Sequence, residues 1–580
     1  MTAGRRLRAV AAAGCLAAAA ALVAGCASIP TASTVRQGDE VLFGGQDDPF
    51  IRVLARPPVE GMTQRQIVAG FLEASASFDG DHEVARQYLA PEVRGQWDPS
   101  SGTVVYDGAA VVYSEDPAAN TVVVGAPEVA RISDRGEYTA SGPGAALAAG
   151  FALRLVDDEW RIATAPPGLA LTTLDVSRAF RAYNLYFLDP TGSRLVPDQV
   201  FVPVQQGGIA TTLVRSVLLG PTPWLAPAVS TAVPEGTALT VDSVPVEDRV
   251  ARLSLSEQAL DSSAEERRRM SAQLVWTLRQ LPEVAYVDVT VNGVDLQVAG
   301  VANPQPRDSW TAYDPDGFPE GGPGGYAARD GVLVTLGDSV QPLAGPLGSG
   351  GPSVSRVAVS PEGDRVAAWV GGTRLVVGPF EAPAEVAGLG GAPLTSLSWD
   401  PFGTVWVVEQ RATGSVISAV GVDGLARPVA APELAGRRVS VVRLARDGCR
   451  AALVATEVGD AGGSASRLYV ARVLRGADGT MTLDALRRVE SSLVGVADAG
   501  WRDAARIVAL GRDARGVEQP FLVPGDGTAV RVAGTLPGLA SLATAPGSPL
   551  LGATADGQLW TDTGTGWSLL GPGRAPAYPG

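Results

Sequence analysis

The 580-residue chain contains no lysine, so all 46 of its basic residues are arginine. This excludes a P-loop lysine, a Schiff-base lysine and the strand lysine of protein kinases. There is one histidine, His82, so a Ser-His-Asp triad would have to be built around it, and a histidine-rich metal site is ruled out. Of the three cysteines, Cys15 and Cys26 lie in an N-terminal leader, which leaves Cys449 as the one ordinary thiol. A single thiol supports neither an intramolecular disulfide framework nor a cysteine zinc site. No cofactor or metal is expected.

Positive charge is also scarce. The formal net charge is -15, and loss of Arg5, Arg6 and Arg8 with the leader takes it to -18. Binding to nucleic acid needs a cationic face that displaces counterions, so none is expected. An anionic lipid surface would repel such a body, and membrane attachment must come from something covalent or spanning. Charged residues are only 18% of the chain against 46% hydrophobic, with 70 glycines and 43 prolines, which fits a turn-rich globular chain of several domains.

The leader supplies an attachment. A basic segment (Arg5, Arg6, Arg8) precedes an apolar, alanine-rich run from Ala9 to Val23 and the small pair Ala24 and Gly25 before Cys26. This is the pattern of a secretory signal. Val23-Ala24-Gly25-Cys26 resembles a bacterial lipobox, in which the cysteine thiol receives a diacylglycerol before cleavage. A simple signal peptide and an uncleaved anchor are the alternatives, although the run is short for a membrane span. The rival Ala12-Ala13-Gly14-Cys15 has almost no apolar run before it.

After residues 1–25 (signal) and 26–57 (polar tether), residues 58–170 read as an α+β unit. Thr63 and Gln66 form a capping box, Met62 can staple onto Ile67, and Ile67, Val68, Phe71 and Leu72 share one helical face. A short helix is expected from His82 to Leu89. Strand patterns follow at 103–106, 109–113, 121–124, 128–132, 151–156 and 160–163. A curved sheet with helices is implied, with a nuclear-transport-factor-2-like cone as one form of it.

Residues 180–302 change rhythm into an α/β unit. Strands are expected at 185–188, 238–244, 250–253 and 284–291, with helices at 209–219 and after the Ser263/Glu266 capping box. Tyr186-Phe187-Leu188-Asp189, Leu218-Leu219-Gly220-Pro221, Val233-Pro234-Glu235-Gly236-Thr237 and Gln273-Leu274-Val275-Trp276-Thr277-Leu278 resemble the GerMN (sporulation and spore germination) domain. Residues 303–325, dense in Pro, Gly and Asp, read as a linker.

From 326 to 575 a strand-turn start recurs at 354–360, 394–399, 439–446, 494–501 and 539–545, each ending in a Gly, Asp or Pro turn. That period predicts an all-β propeller of five or six blades; a β-sandwich has the same strand content but no such period.

Val68-Ala69-Gly70-Phe71-Leu72 with Ala85-Arg86-Gln87-Tyr88-Leu89, followed by the GerMN-like unit and the repeats, is similar to the actinobacterial LpqB lipoprotein family over nearly the whole mature chain. The resemblance implies an extracytoplasmic, lipid-anchored accessory of the cell membrane without catalytic residues. It also implies that the partner is the extracytoplasmic domain of a sensor histidine kinase of the MtrA/MtrB two-component type, acting on cell-wall metabolism and division. A glycan-binding or glycan-hydrolysing propeller is the alternative, and acids arrayed at its channel would favour it. Asp157, Asp158 and Glu159, and Asp79, Asp81 and His82, read as solvated turns. Asp314-Pro315-Asp316-Gly317 imitates the start of a calcium loop without its later ligands. Cys449 reads as a packing residue.

Cys26 is thus the one predicted modified residue. An alkyne fatty acid should label the wild type and not Cys26→Ala; label that survives this change and disappears in Cys15→Ala would refute the assignment.

Overall fold

The computed structural model describes residues 55–580 apart from 143, 205–207, 318–323, 338, 390, 413, 458–465, 490–492, 514 and 526–529. The leader, Cys26 and most of the tether therefore lie outside the described residues.

Helix α1 (Gln64–Ser75) begins at the expected capping box, with Thr63 accepting from the Gln66 N–H and Gln66 accepting from the Thr63 N–H. Its buried face is the expected one, including Ile67, Val68, Phe71 and Leu72, and Met62 packs against the same core. Helix α2 (Glu83–Gln87) is shorter than expected, because His82 enters it in the left-handed region at φ 58°. The two strands expected at 121–124 and 128–132 are one strand, Thr121–Ile132, running through Pro127. It is the hub of the sheet: its first half pairs with Val112–Asp116 and its second with Thr103–Tyr106, while Ala146–Val156 runs alongside. The stretch expected as a strand at 109–113 opens instead with a 3-10 turn, Gly108–Ala110.

The second unit does not start afresh. Helix α3 (Thr173–Ala179), which the sequence pattern missed, leads into a hairpin of Phe180–Leu188 with Leu195–Pro203. Phe180 and Phe201 at one end of this hairpin are buried in the first core, whereas Leu185, Phe187, Leu188 and Leu195 at the other end are buried in the second. Helices α4 (Ile209–Leu218) and α5 (Ala264–Leu278) complete the second core with the parallel strands Val250–Leu255 and Tyr286–Val291. In α5, Gln273 donates to the Tyr186 carbonyl (2.9 Å) and Thr277 accepts from the Tyr186 N–H (3.2 Å). The GerMN-like motif residues thus join helix to hairpin. Residues 238–244 are not the expected strand; apart from a bridge between Leu239 and Leu255 the segment is irregular, and Val244 is fixed by the Thr211 hydroxyl.

The composition of 303–325 suggests a free linker, yet its first part is built into the second unit. Gln305–Pro306 pairs with the strand Tyr286–Val291, and Trp310 and Tyr313 are buried in that core. Aromatic burial outweighs the Pro and Gly content of the flanks.

The last region is a ring of six four-stranded sheets. All five expected starts are innermost strands, and each has a register shift near its beginning. The sixth blade takes three strands from residues 325–342 and its innermost strand, Arg574–Ala577, from the other end of the repeats. Tyr578 follows, donating to the Pro549 carbonyl (2.8 Å), and Gly580 donates to the Val359 carbonyl (2.9 Å) in the next blade.

Deleting residues 573–580 should remove one edge from every neighbouring contact and destabilise the region as a whole, since each blade buries its faces only against neighbours. Thermal unfolding and limited proteolysis read this out, with Tyr578→Ala as the milder change, expected to cost about 2–4 kcal/mol if its ring seals the closure. Unaltered cooperativity in both would contradict closure by this strand.

Candidate functional site

The turns that end the innermost strands carry a repeated device. The carboxylate Oδ1 of Asp400 accepts from the N–H groups of Phe402 and Thr404 (both 2.9 Å). Asp447 accepts from Cys449 (2.8 Å), Asp503 from Ala505 and Arg506 (2.9 and 2.8 Å), and the Ser360 hydroxyl from Arg365 (2.9 Å). Each Asp has its second oxygen engaged by a cation: Asp400 by Arg475 (2.8 Å), Asp447 by Arg450, Asp503 by Arg506 (2.6 Å). Asp and Ser favour such turns because the side chain replaces a backbone acceptor. The carboxylates are consumed in holding the turns rigid.

The GerMN-like unit is seated on that face. Arg194 donates to the Arg446 carbonyl (2.7 Å), the Ala504 N–H donates to Asp316 (2.6 Å), and the Cys449 thiol donates to the Ala228 carbonyl (3.3 Å). The Trp224 indole donates to the Ala485 carbonyl (2.7 Å), and Arg472 reaches the Trp224 carbonyl. The first unit joins in: Arg487 of the propeller pairs with Glu137, Tyr138 stacks on Phe201 at 5.0 Å, and the Phe201 N–H donates to the Gly136 carbonyl (2.7 Å).

Burial dominates the electrostatics of this seam. It raises the Cys449 thiol well above its ordinary range, beside Val196, Leu225 and Ala228, which fits packing and not nucleophilic chemistry. It pushes Asp198 up to about 6 although Thr222 donates to it through both N–H and hydroxyl. Asp316 is raised further, by burial first and then by repulsion from Asp503 and Asp314, with Arg446 opposing. The apparent calcium-loop start is therefore a docking strut.

A cavity lies at the central channel, where the innermost strands converge. Every blade's innermost strand contributes to it, chiefly Ala, Ser, Gly and Leu, and its charged lining residues are Arg443 and Arg446. Arg443 donates to the Ser396 hydroxyl (2.6 Å) and pairs with Asp498 at 3.3 Å, whose other oxygen accepts from the Leu542 N–H (3.0 Å). Among the described residues no Asp or Glu lines the cavity, so the two opposed carboxyls of a glycosidase are not assembled there. Among the described residues no group of three or more His, Cys, Asp or Glu is placed to hold a metal.

Comparison with known proteins identifies the parts. Residues 57–177 match the model for the LpqB N-terminal domain, 184–297 that for sporulation and spore germination, and 330–579 that for the LpqB beta-propeller domain. Lipoprotein LpqB of Thermobifida fusca is 34% identical, covering 97% of each chain. The chain belongs to the LpqB lipoprotein family. The LpqB protein of Streptomyces coelicolor is 29% identical over 96% of each chain. The tandem GerMN domains of GerM from Bacillus subtilis align at 18% identity and a TM-score of 0.20, over 27% of this chain and 59% of that one. The first unit is thus matched as an LpqB N-terminal domain, and the nuclear-transport-factor-2-like form is not established for it.

In this LpqB-family chain the remaining sequence candidates fall apart. Asp157 and Asp158 are exposed at a left-handed turn, and Asp81 is exposed and paired with Arg86. His82 is buried between Phe78 and Trp97, where desolvation lowers its pKa. The sequence pattern gives no sign of Arg443, Asp498 and Trp224, and it marks Asp316 only as part of an incomplete calcium-loop start; their partners come together only when blades and units close.

Asp316 makes the seam pH-sensitive. An acid raised in the folded state contributes stability that is fully present below about pH 4 and is lost as pH rises toward the raised value. Asp316→Asn keeps the acceptor for Ala504 and removes the charge. The variant should melt higher than wild type at pH 8 by on the order of 1–3 kcal/mol, with the difference shrinking toward pH 5; a pH-independent difference would contradict this origin.

Proposed function

We propose that this chain is a noncatalytic accessory of the extracytoplasmic face of the cell membrane, anchored by a lipid on Cys26. In this reading residues 26–57 are a tether, and the body binds the extracytoplasmic domain of a sensor histidine kinase of the MtrA/MtrB type, modulating signalling to cell-wall metabolism and division. The observation that carries the reading is the commitment of the polar groups: the turn acids are tied to arginines, the lone thiol is packed, and among the described residues the channel cavity is lined by Arg443 and Arg446 and by no Asp or Glu. Such an arrangement favours surface recognition over bond-breaking chemistry. Membership in a lipoprotein family supports the anchor, and among the described residues no helix is long and apolar enough to cross a membrane.

A chain beginning at Ala27 should bind the purified sensor ectodomain in solution. In cells it should act more weakly than the lipidated protein, because it loses the effective concentration given by a shared membrane. Absence of binding, together with hydrolysis of a cell-wall glycan by the purified chain, would replace this reading with the enzymatic one.

A further inference from the structure

A second cavity lies where all three units meet. It is a cleft open to solvent, lined by Tyr138 of the first unit, Gln199 and Trp224 of the second, and Arg487, Arg488 and Trp501 of the propeller. Its walls are rigid. Arg487 lies 4.6 Å from the centre of the Trp224 ring, and Arg450, also lining the cleft, lies 5.0 Å from that of Trp501. Both indoles are anchored by backbone carbonyls, Ala485 for Trp224 (2.7 Å) and Arg443 for Trp501 (3.0 Å).

The charges in the cleft are matched except for one. Arg450 is neutralised by Asp447 and Arg487 by Glu137, while Asp198 has Thr222 as donor and Arg450 and Arg135 as nearby cations. The Arg488 side chain makes no hydrogen bond or ion pair among the described residues, and its Nε is buried without an acceptor. Arg488 is half-buried, so the rest of its guanidinium stays uncommitted in the open cleft, and its planar fork matches a carboxylate. The Gln199 side chain, also without a hydrogen-bond partner among the described residues, supplies an amide on the same wall. The remaining lining includes Pro197, Val470 and Ala505, which suit a flat, partly apolar body and not a naked ion.

We propose that this three-unit cleft binds a small monocarboxylate carried on a ring, with Arg488 holding the carboxylate and the indole-lined walls holding the ring. The ring is that of a sugar acid or of an aromatic acid; both present one negative charge on a compact six-membered ring, puckered in the first and planar in the second. A dianionic phosphate fits less well, because one uncommitted cation cannot balance it beside Asp198 and Glu137. Because the ligand would touch all three units, its binding should also raise their common unfolding temperature.

The test uses the chain from Ala27 onward, titrated with glucuronate, 4-hydroxybenzoate, glucose and inorganic phosphate, followed by calorimetry and tryptophan fluorescence. Saturable binding of at least one carboxylate is expected, with neither glucose nor phosphate matching it, and the two acids distinguish a sugar ring from an aromatic one. Arg488→Leu should weaken binding at least about tenfold while retaining the melting temperature of the free protein, and Arg488→Lys should recover part of it. The proposal is overturned if neither acid binds below about 10 mM, if glucose or phosphate binds as well as the acids, or if Arg488→Leu leaves the affinity unchanged. Kinase binding is a separate measurement and survives or fails independently of this one.

Discussion

Closure of the propeller by Arg574–Ala577 is the pairing on which the rest of the molecule depends. This strand becomes the innermost one of its blade, and the residues after it run on to Val359 in the next blade. There Arg446 reaches the Pro579 carbonyl, while the Arg446 carbonyl accepts from Arg194 of the GerMN-like unit. One arginine therefore links the closing segment, the channel and the docked unit. A defect in ring closure would be felt first at the seam, before any loss of the individual blade cores.

The seam is polar and buried, which raises the question of why it is not a weakness. Buried ion pairs add little net stability, because desolvation offsets their attraction. Their effect here is geometric. Asp400, Asp447 and Asp503 each spend one oxygen on their own turn and the other on an arginine, so the face presented to the second unit has fixed donors and acceptors. Mismatched docking would leave Asp316 or the Ala504 N–H buried without a partner, at about 1–3 kcal/mol each. The hairpin shared by the first two cores adds a covalent constraint, since Phe180 and Leu188 belong to different cores on one strand.

Much of this was legible locally. Capping boxes at Thr63 and Ser263 appear where their residues predict, because they involve only residues three apart. The Asn292-Gly293 turn adopts two positive φ angles, 51° and 75°, as its residue types require. The innermost strands were legible because their period repeats. What was hidden depends on closure. Residues 238–244 alternate like a strand, yet they pair only at 238–240 against the end of Val250–Leu255, whose start is taken by Val246–Glu247, and the rest of the segment, without a partner, stays irregular. Residues 305–316 look like a linker because Trp310 and Tyr313 are outnumbered by the Pro and Gly of the whole 303–325 stretch, although two buried rings suffice to fix the segment.

The same reasoning explains why the site residues escaped the sequence. Arg488 and Tyr138 are 350 positions apart in the numbering, and no spacing rule connects the propeller strand Met481–Arg488 with the edge strand Tyr138–Ala140 of the first unit. The absence of lysine sharpens what such a junction can do. Arginine keeps its charge even when desolvation lowers the pKa of Arg487 to about 10, so the cations at the seam are permanent across physiological pH. The acids Asp198 and Asp316 are the groups there that burial moves toward neutrality. A junction of fixed cations and adjustable acids becomes more positive as pH falls, and it does so between the three units, where a change in charge acts on their mutual docking and not on the blade cores.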